Sequence, residues 1–224
     1  MIERGILFNG AMVRALLDGS KTQTRRIMKP QPKQTPADYP GSAGHWWPSN
    51  AHQSMVHVEQ ELQNQHGGWS GLAADCCPYG RVGDHLWVRE TFGYVSPDEF
   101  ERPHAECNIE YRADLAPGCT DRPGQWPVDE CAADPARPRW RPSIHMPRWA
   151  SRILLEIVSV RVERLQDISE GDAHAEGCLQ PACGPDYTLY KRWAYRNLWN
   201  EINGASSWDA NPFVWVVGFK RVAP

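Results

Sequence analysis

The chain has 224 residues and a formal net charge of −3, which suits one elaborated domain with its own hydrophobic core and argues against tight non-specific binding to long nucleic acids. No run of about 18 apolar residues occurs, so we expect no membrane span. The N-terminus lacks the apolar segment of a signal peptide, and we therefore expect a cytoplasmic protein.

The first thirty residues predict a strand, a helix and an extended segment. Gly5–Phe8 is a short apolar run of the kind found in buried strands, and residues 10–18 place apolar side chains at helical spacing. Gly19 is expected to end this helix. Thr22–Ile27 contains β-branched residues in alternation, which favours a strand or an extended loop.

Two stretches of the chain predict irregular insertions. Residues 29–75 hold five prolines among glycine, serine, glutamine and histidine. Residues 95–139 are again rich in proline and acidic residues, with a short strand expected at Asn108–Arg112. Both stretches are expected to interrupt a single domain.

A strand is predicted between the insertions, at Leu86–Phe92. Alternation places Glu90 on its apolar face and Trp87 on the opposite face. A carboxylate on an apolar face needs a partner, and we expect Arg26 or Lys21 to supply it. Glu90 therefore has a structural interpretation beside a direct role in catalysis or substrate binding.

A long β pattern runs from Ser151 to Leu165. Its apolar alternation changes phase by one residue between Ile157 and Val158. Such a change indicates either a bulge in one long strand or two strands joined at that point.

The last third of the chain predicts two helices and a closing strand. Ser169 and Asp172 form a capping-box-like pair before a short helix that Gly177 ends. A longer helix is expected over residues 186–202, with apolar residues every four positions, and Phe213–Val222 is the final strand. The order of elements predicts an α+β fold around a small, mostly antiparallel β-barrel with flanking helices.

The stretch that carries most chemistry is Gly19–Arg26, which reads GSKTQTRR. A lysine held close to a threonine can act as base to a nucleophile, and the same groups can instead bind a phosphate. In a regular strand Lys21 and Thr24 would point to opposite faces. Cooperation between them therefore requires Lys21 to lie in the turn before the strand.

Other charged residues admit both a functional and a structural interpretation. Glu176, at the end of the short predicted helix, is a candidate proton donor or an exposed carboxylate. A series of arginines either lines a groove for phosphate or balances the acidic second insertion: Arg25, Arg26, Arg137, Arg139, Arg141, Arg148 and Arg152.

The cysteines form no CxxC pair, and zinc could be held only by scattered residues such as Cys76, Cys107 and His85. We expect no metal site and no cofactor.

The spacing Gly19-x-Lys21-x-x-Thr24-x-Arg26 resembles the GxKxxTxR signature of the ASCH family, whose members have a PUA-like β-barrel fold. Gly83–Val88, Leu165–Gly177 and Phe213–Phe219 are similar to further stretches of that family. The segments CPYG, LWVRET and WRPSIHMPRWA resemble segments of the larger phage and prophage members of the family. The resemblance implies one ASCH domain over residues 1–224, with insertions at about 29–75 and 95–139.

Some small ASCH proteins are amidohydrolases that remove the acetyl group of N4-acetylcytidine. By motif, the resemblance assigns Lys21 as proton acceptor, Thr24 as nucleophile and Glu176 as proton donor. We expect the substrate to be contacted by Arg25, Arg26, Glu90, Trp87 and Arg148. Other family members have been linked to RNA binding or ribonuclease activity.

The leading hypothesis is therefore metal-independent amide hydrolysis on an N4-acylated cytosine nucleoside or nucleotide. One alternative is a module that binds RNA or a modified nucleotide without catalysis. Another is a metal-independent ribonuclease that uses Lys21 with a histidine such as His145. The expected partner is a small nucleoside or nucleotide, or RNA under the alternatives, and no membrane.

Overall fold

The protein is described from a computed structural model. The described residues are 1–29, 31, 33–34, 45–47, 58–59, 77–96, 106–125, 138–178 and 190–222. Most of the first insertion, part of the second, and the predicted residues Cys76, Arg137 and Asp186 lie outside them. Across the described ranges, no helix is long and apolar enough to cross a membrane.

The strands of the described residues are β1 (Glu3–Leu7), β2 (Gln23–Ile27), β3 (Lys33–Gln34), β4 (His45–Trp47), β5 (Val58–Glu59), β6 (His85–Arg89), β7 (Phe92–Val95), β8 (Asn108–Tyr111), β9 (Leu154–Arg164) and β10 (Phe213–Val222). The α-helices are α1 (Gly10–Leu17), α2 (Glu170–Ala175) and α3 (Tyr190–Asn203). Short 3-10 helices cover Arg112–Asp114, Ser143–His145, Arg148–Ala150 and Leu165–Asp167.

A five-stranded mixed sheet forms the centre, in the order β1-β6-β9-β10-β2. β1 runs parallel to β6, and the other neighbours are antiparallel. β7 pairs with β8, and β3, β4 and β5 form a small separate sheet. The prediction of an α+β fold is confirmed at this level.

A closed barrel, which the sequence led us to expect, is not seen among the described residues. β1 and β2 form the two edges of the sheet and do not pair with each other. One side chain joins these edges, because the Arg26 guanidinium donates a hydrogen bond to the Leu7 carbonyl at 2.5 Å. The sheet is therefore open in its backbone hydrogen bonding.

The phase change in the long β pattern is a bulge within one strand. β9 is continuous, and its register with β10 shifts between Gly218, opposite Ser159, and Phe219, opposite Ile157. Val158 is the extra residue and is exposed. The bulge turns Val158 outward and keeps the apolar residues on both sides of it facing the core.

Alternate residues of β10 pack on opposite faces of the sheet. Trp215 and Val217 belong to a cluster that α1 covers, whereas Val214 and Val216 belong to a cluster that includes residues of α2 and α3. Because β2 pairs with β10, its side chains divide between the same two faces.

The buried face of α3 differs from the predicted one. Ala194, Tyr195 and Trp199 are buried, whereas Ile202 is 51% exposed. A strict four-residue spacing drifts around a helix of 3.6 residues per turn. The apolar stripe therefore leaves the core before it reaches Ile202.

Candidate functional site

Lys21 lies in the turn between α1 and β2. The helix ends at Leu17, Gly19 adopts φ of +83°, and the Lys21 amide donates to the Ala15 carbonyl at 2.9 Å. β2 begins only at Gln23. Lys21 thus has the position that cooperation with Thr24 requires.

Glu176 lies directly after α2, whose start has the predicted capping box between Ser169 and Asp172. The following Gly177 adopts φ of +83°, which turns the chain away from the helix axis. Lys21 and Glu176 form an isolated antiparallel bridge. The backbone itself therefore places the lysine beside the carboxylate.

The Lys21 ammonium is buried and fully hydrogen-bonded. Its Nζ donates to Glu176 Oε2 at 2.8 Å, to the Glu176 carbonyl at 2.8 Å and to the Gln23 carbonyl at 2.9 Å. The lysine side chain is 0% exposed and the Glu176 side chain 2%. An ammonium has three N–H donors, so all of them are used in this arrangement.

Arg25 holds the same carboxylate from the other side. It donates to Glu176 Oε1 at 3.1 Å and to Glu163 at 2.8 and 2.5 Å, and it lies 3.3 Å from Asp172. Burial alone would lower the pKa of Arg25, but the carboxylates of Glu163 and Glu176 raise it above its ordinary value. The guanidinium therefore stays charged.

Asp172 completes a partly buried network of alternating charges, in which its own side chain is 26% exposed and that of Arg161 is 39% exposed. It accepts hydrogen bonds from Gln23 at 3.0 Å and from Arg161 at 3.1 Å. Burial acts to raise its pKa, but the Gln23 hydrogen bond and the charges of Arg25 and Arg161 outweigh burial and lower the pKa to about 2. Three cations (Lys21, Arg25, Arg161) thus face three carboxylates (Glu163, Asp172, Glu176).

We expect Asp172→Asn to be destabilising above pH 4 and nearly neutral at pH 2. A carboxyl whose folded pKa is about 2, against an ordinary 3.8, contributes stability above pH 4 and loses it as pH falls towards 2. Urea unfolding of both proteins at several pH values measures this difference. A stability difference that stays constant between pH 5 and pH 2 would contradict the prediction.

Two features favour glycine at position 177, namely its positive φ and the close packing of neighbouring side chains around it. A Cβ there would lie 2.9 Å from Ala15 Cβ and 3.1 Å from Lys21 Cβ. We expect Gly177→Ala to lower the free energy of unfolding by about 2–4 kcal/mol, through φ strain and overpacking together. Gly19→Ala is the matched control, because Gly19 has the same φ of +83° and nothing within 4 Å of its Cβ position. Equal losses from both substitutions, measured by urea unfolding, would refute the close-packing argument.

A cleft of about 440 Å³ lies beside β2, whose outer edge pairs with no strand among the described residues. Four consecutive residues of that strand line it, and alternate residues of a strand belong to opposite faces of the sheet. The lining residues are Met12, Thr24, Arg25, Arg26, Ile27, Lys29, Pro78, Tyr79, Glu176, Tyr195, Leu198, Trp199, Ile202, Asn203 and Trp215.

Thr24 and Glu176 both line the cleft, whereas Lys21 is not among its described lining residues. Across the described residues, the Thr24 hydroxyl has no hydrogen-bond partner. Thr24 pairs with Val217, on the face of the cluster that contains Phe8. The Lys21 Nζ lies 5.5 Å from the centroid of the Phe8 ring, so the amine extends towards the face that carries Thr24.

Tyr195 and Cys178 lie near the Glu176 carboxylate, and both side chains are neutral. Burial and the nearby Glu176 raise the pKa of Tyr195 well above its ordinary value and that of Cys178 to about 11. Neither residue is therefore an anion at neutral pH. The buried thiol in particular is not a ready nucleophile.

Glu90 has a different partner from the one predicted. It is 2% exposed, and Arg152 holds it with two hydrogen bonds of 2.9 and 3.0 Å while also pairing with Asp114. The expectation of Arg26 or Lys21 as partner was wrong, because Glu90 lies on the β6 side of the sheet and both of those residues lie near β2. Burial raises the pKa of Glu90, and Arg152 opposes that rise.

Trp87 and Arg148 also lie near β6 and β1, apart from the cleft lining. Trp87 stacks against Arg89, with 5.3 Å from guanidinium carbon to ring centroid, and Arg148 forms an ion pair with Glu3 at 2.7 Å. Of the predicted substrate contacts, the structure brings only Arg25 and Arg26 to the cleft with Thr24 and Glu176. His145 is exposed in a 3-10 helix and does not line the cleft.

No pattern in the sequence marks Glu163, Arg161 or the aromatic residues of α3 as part of the site. Asp172 was recognised only as a helix cap. Its spacing of four residues from Glu176 places both carboxylates on one side of α2, which is a signal that the sequence carries. Among the described residues, no group of three His, Cys, Asp or Glu side chains is arranged to hold a metal ion.

Comparisons with protein-family models, with curated proteins and with solved structures found no match to this chain.

Proposed function

We propose that the protein is an ASCH-type amidohydrolase with a PUA-like fold, acting on N4-acylated cytosine nucleosides or nucleotides. The observation that carries the proposal is the buried contact of 2.8 Å between Lys21 Nζ and Glu176 Oε2, at a cleft that Glu176 and Thr24 both line. Lys21 and Thr24 belong to the signature that resembles the ASCH family, and Glu176 belongs to the similar stretch Leu165–Gly177.

The charged pair first has to change its protonation state. With all three N–H groups donating, Lys21 has no lone pair to accept a proton. Transfer of one proton from Nζ to Oε2 turns the pair into a neutral amine and a carboxylic acid, the two groups that the reaction needs.

Hydrolysis then follows in two balanced steps. Thr24 Oγ1 attacks the acyl carbonyl while its proton passes to Lys21, and Glu176 protonates N4 as the C–N bond breaks, leaving an acyl ester on Thr24. A second proton transfer from Lys21 Nζ to Glu176 Oε2 then regenerates the amine and the carboxylic acid. Water attacks the ester and gives its proton to Lys21, and Glu176 gives its proton to Thr24 as the acid leaves. Each step restores the ammonium and the carboxylate.

Aromatic side chains support a planar ligand in this cleft. Tyr79, Tyr195, Trp199 and Trp215 contribute to its lining. Aromatic faces stack on bases regardless of sequence, and a cleft of about 440 Å³ is within the range of small-molecule sites.

The test is to incubate the protein with N4-acetylcytidine and to follow the release of cytidine and acetate. N4-methylcytidine, which has no acyl carbonyl, is the control and should stay unchanged. Absence of cytidine release at high protein concentration would overturn the proposal.

The second candidate is a module that binds a modified nucleotide or RNA without catalysis. The fully bonded Lys21 ammonium favours it, since a purely structural lysine would have this arrangement. Binding of N4-acetylcytidine without turnover, and without sensitivity to the Thr24 hydroxyl, distinguishes this candidate from the enzyme.

A further inference from the structure

We infer that the cleft takes its cytosine ligand as a 5′-phosphorylated mononucleotide, with the phosphate bound by Lys29 and Arg26. The identity of the base rests on the proposed function, whereas the phosphate site rests on the charges and donors of the cleft itself.

Among the described residues that line the cleft, positively charged side chains outnumber negatively charged ones. Glu176 is the only carboxylate among these described residues, and Lys21 and Arg25 already neutralise it. Arg26 and Lys29 line the same cleft and form no ion pair within the described part of the chain. Two cations are therefore left without a counter-charge, in a chain whose formal net charge is −3.

Two of the residues that line the cleft carry a buried N–H without an acceptor among the described residues. Within the described structure, neither the Arg26 Nε nor the Trp199 Nε1 has a hydrogen-bond partner, although both atoms are buried. The Trp199 residue is 4% exposed. A buried N–H without an acceptor costs about 1–3 kcal/mol. Each of these atoms has less than 1 Å² of accessible surface, so a ligand oxygen removes that cost only where a side-chain movement opens the donor to the cleft.

Arg26 and Lys29 both follow Thr24 closely along the chain. Lys29 is exposed and lies five residues beyond Thr24, so their Cα atoms are at most about 17 Å apart. Arg26 lies between them along the strand. A ligand with its acyl group at Thr24 and its phosphate near Lys29 thus extends along the β2 edge. Its base then lies against the aromatic residues that line the cleft.

A phosphate fits these groups better than a carboxylate does. It presents several acceptor oxygens and more negative charge, which suits an arginine edge together with a flexible lysine. A neutral nucleoside would leave both cations unsatisfied. The cleft therefore predicts discrimination between a nucleotide and its nucleoside.

The experiment is calorimetric titration of the full chain with cytidine 5′-monophosphate and with cytidine, at one fixed low salt concentration. We expect the nucleotide to bind at least about tenfold more tightly, the ratio that one charge-assisted hydrogen bond supplies. Lys29→Gln should abolish most of this preference and leave cytidine binding unchanged. Trp199→Phe, which keeps a ring and removes the N–H, should weaken both ligands.

Lys220→Gln is the matched control, because Lys220 pairs with Glu156 at 3.1 Å and does not line the cleft. It removes the same charge and should leave both affinities unchanged. Equal affinities of nucleotide and nucleoside would overturn the phosphate site, even if N4-acetylcytidine is hydrolysed. A tenfold preference that depends on Lys29 would support the phosphate site, even if no acyl group is released.

Discussion

Thr24→Val is expected to lower kcat/KM for N4-acetylcytidine by at least about 100-fold, with little change in stability. Valine keeps the branched shape of threonine and removes the hydroxyl that is the proposed nucleophile, on a residue that lines the cleft and is 2% exposed. Within the described residues that hydroxyl has no hydrogen-bond partner to lose. Steady-state kinetics and urea unfolding on the same preparation separate the chemical effect from the structural one.

Thr24→Ser is the matched control for this prediction. Serine retains a hydroxyl at the same position and should retain part of the activity, because only the methyl group is lost. During turnover of wild type, mass spectrometry should detect one acetyl group on the peptide that contains Thr24. Activity of Thr24→Val within about threefold of wild type would exclude Thr24 as nucleophile.

Lys21→Met is expected to lower the free energy of unfolding by about 3–5 kcal/mol, which is the usual effect of breaking a buried ion pair on one side. Glu176, 2% exposed, would be left with Arg25 as its remaining cation. The carbonyls of Gln23 and Glu176 would also lose their donor. Urea unfolding at neutral pH measures the loss, and a change below about 1 kcal/mol would show that the pair contributes little.

The double variant Lys21→Met with Glu176→Gln tests whether the loss comes from the uncompensated charge. It removes both charges of the pair, and Arg25 keeps Glu163 and Asp172 as partners. We therefore expect it to be less destabilised than the single lysine variant. A folded double variant without hydrolytic activity would assign the pair a chemical role that stability cannot explain.

Several elements could be predicted from the sequence because neighbouring residues determine them. Gly19 ends α1 in a left-handed conformation, and Ser169 with Asp172 caps α2. The phase change at Val158 marks the bulge of β9, and β10 covers Phe213–Val222 as predicted. Each depends on a local backbone preference or on alternation along one strand.

Partners across the sheet could not be predicted in the same way. Glu90 needs a cation because it is buried, but the sequence does not say which strand edge it faces, and Arg152 rather than Arg26 meets it. Trp87 and Arg148 are suitable residue types for a nucleotide site, yet both lie near β6 and β1. Strand order decides these neighbours, and strand order is not a local property.

By itself, the sequence determined that Lys21 precedes β2 in a turn and that Thr24 lies within the strand, because a glycine stop and a β-branched alternation act over a few residues. Only the tertiary structure decided that Lys21 meets Glu176 across 155 positions of sequence and that Glu163 and Asp172 surround Arg25. The reason is physical: buried charges are stable only with opposite charges in contact, and the packing of α2 against the β2 edge supplies those contacts.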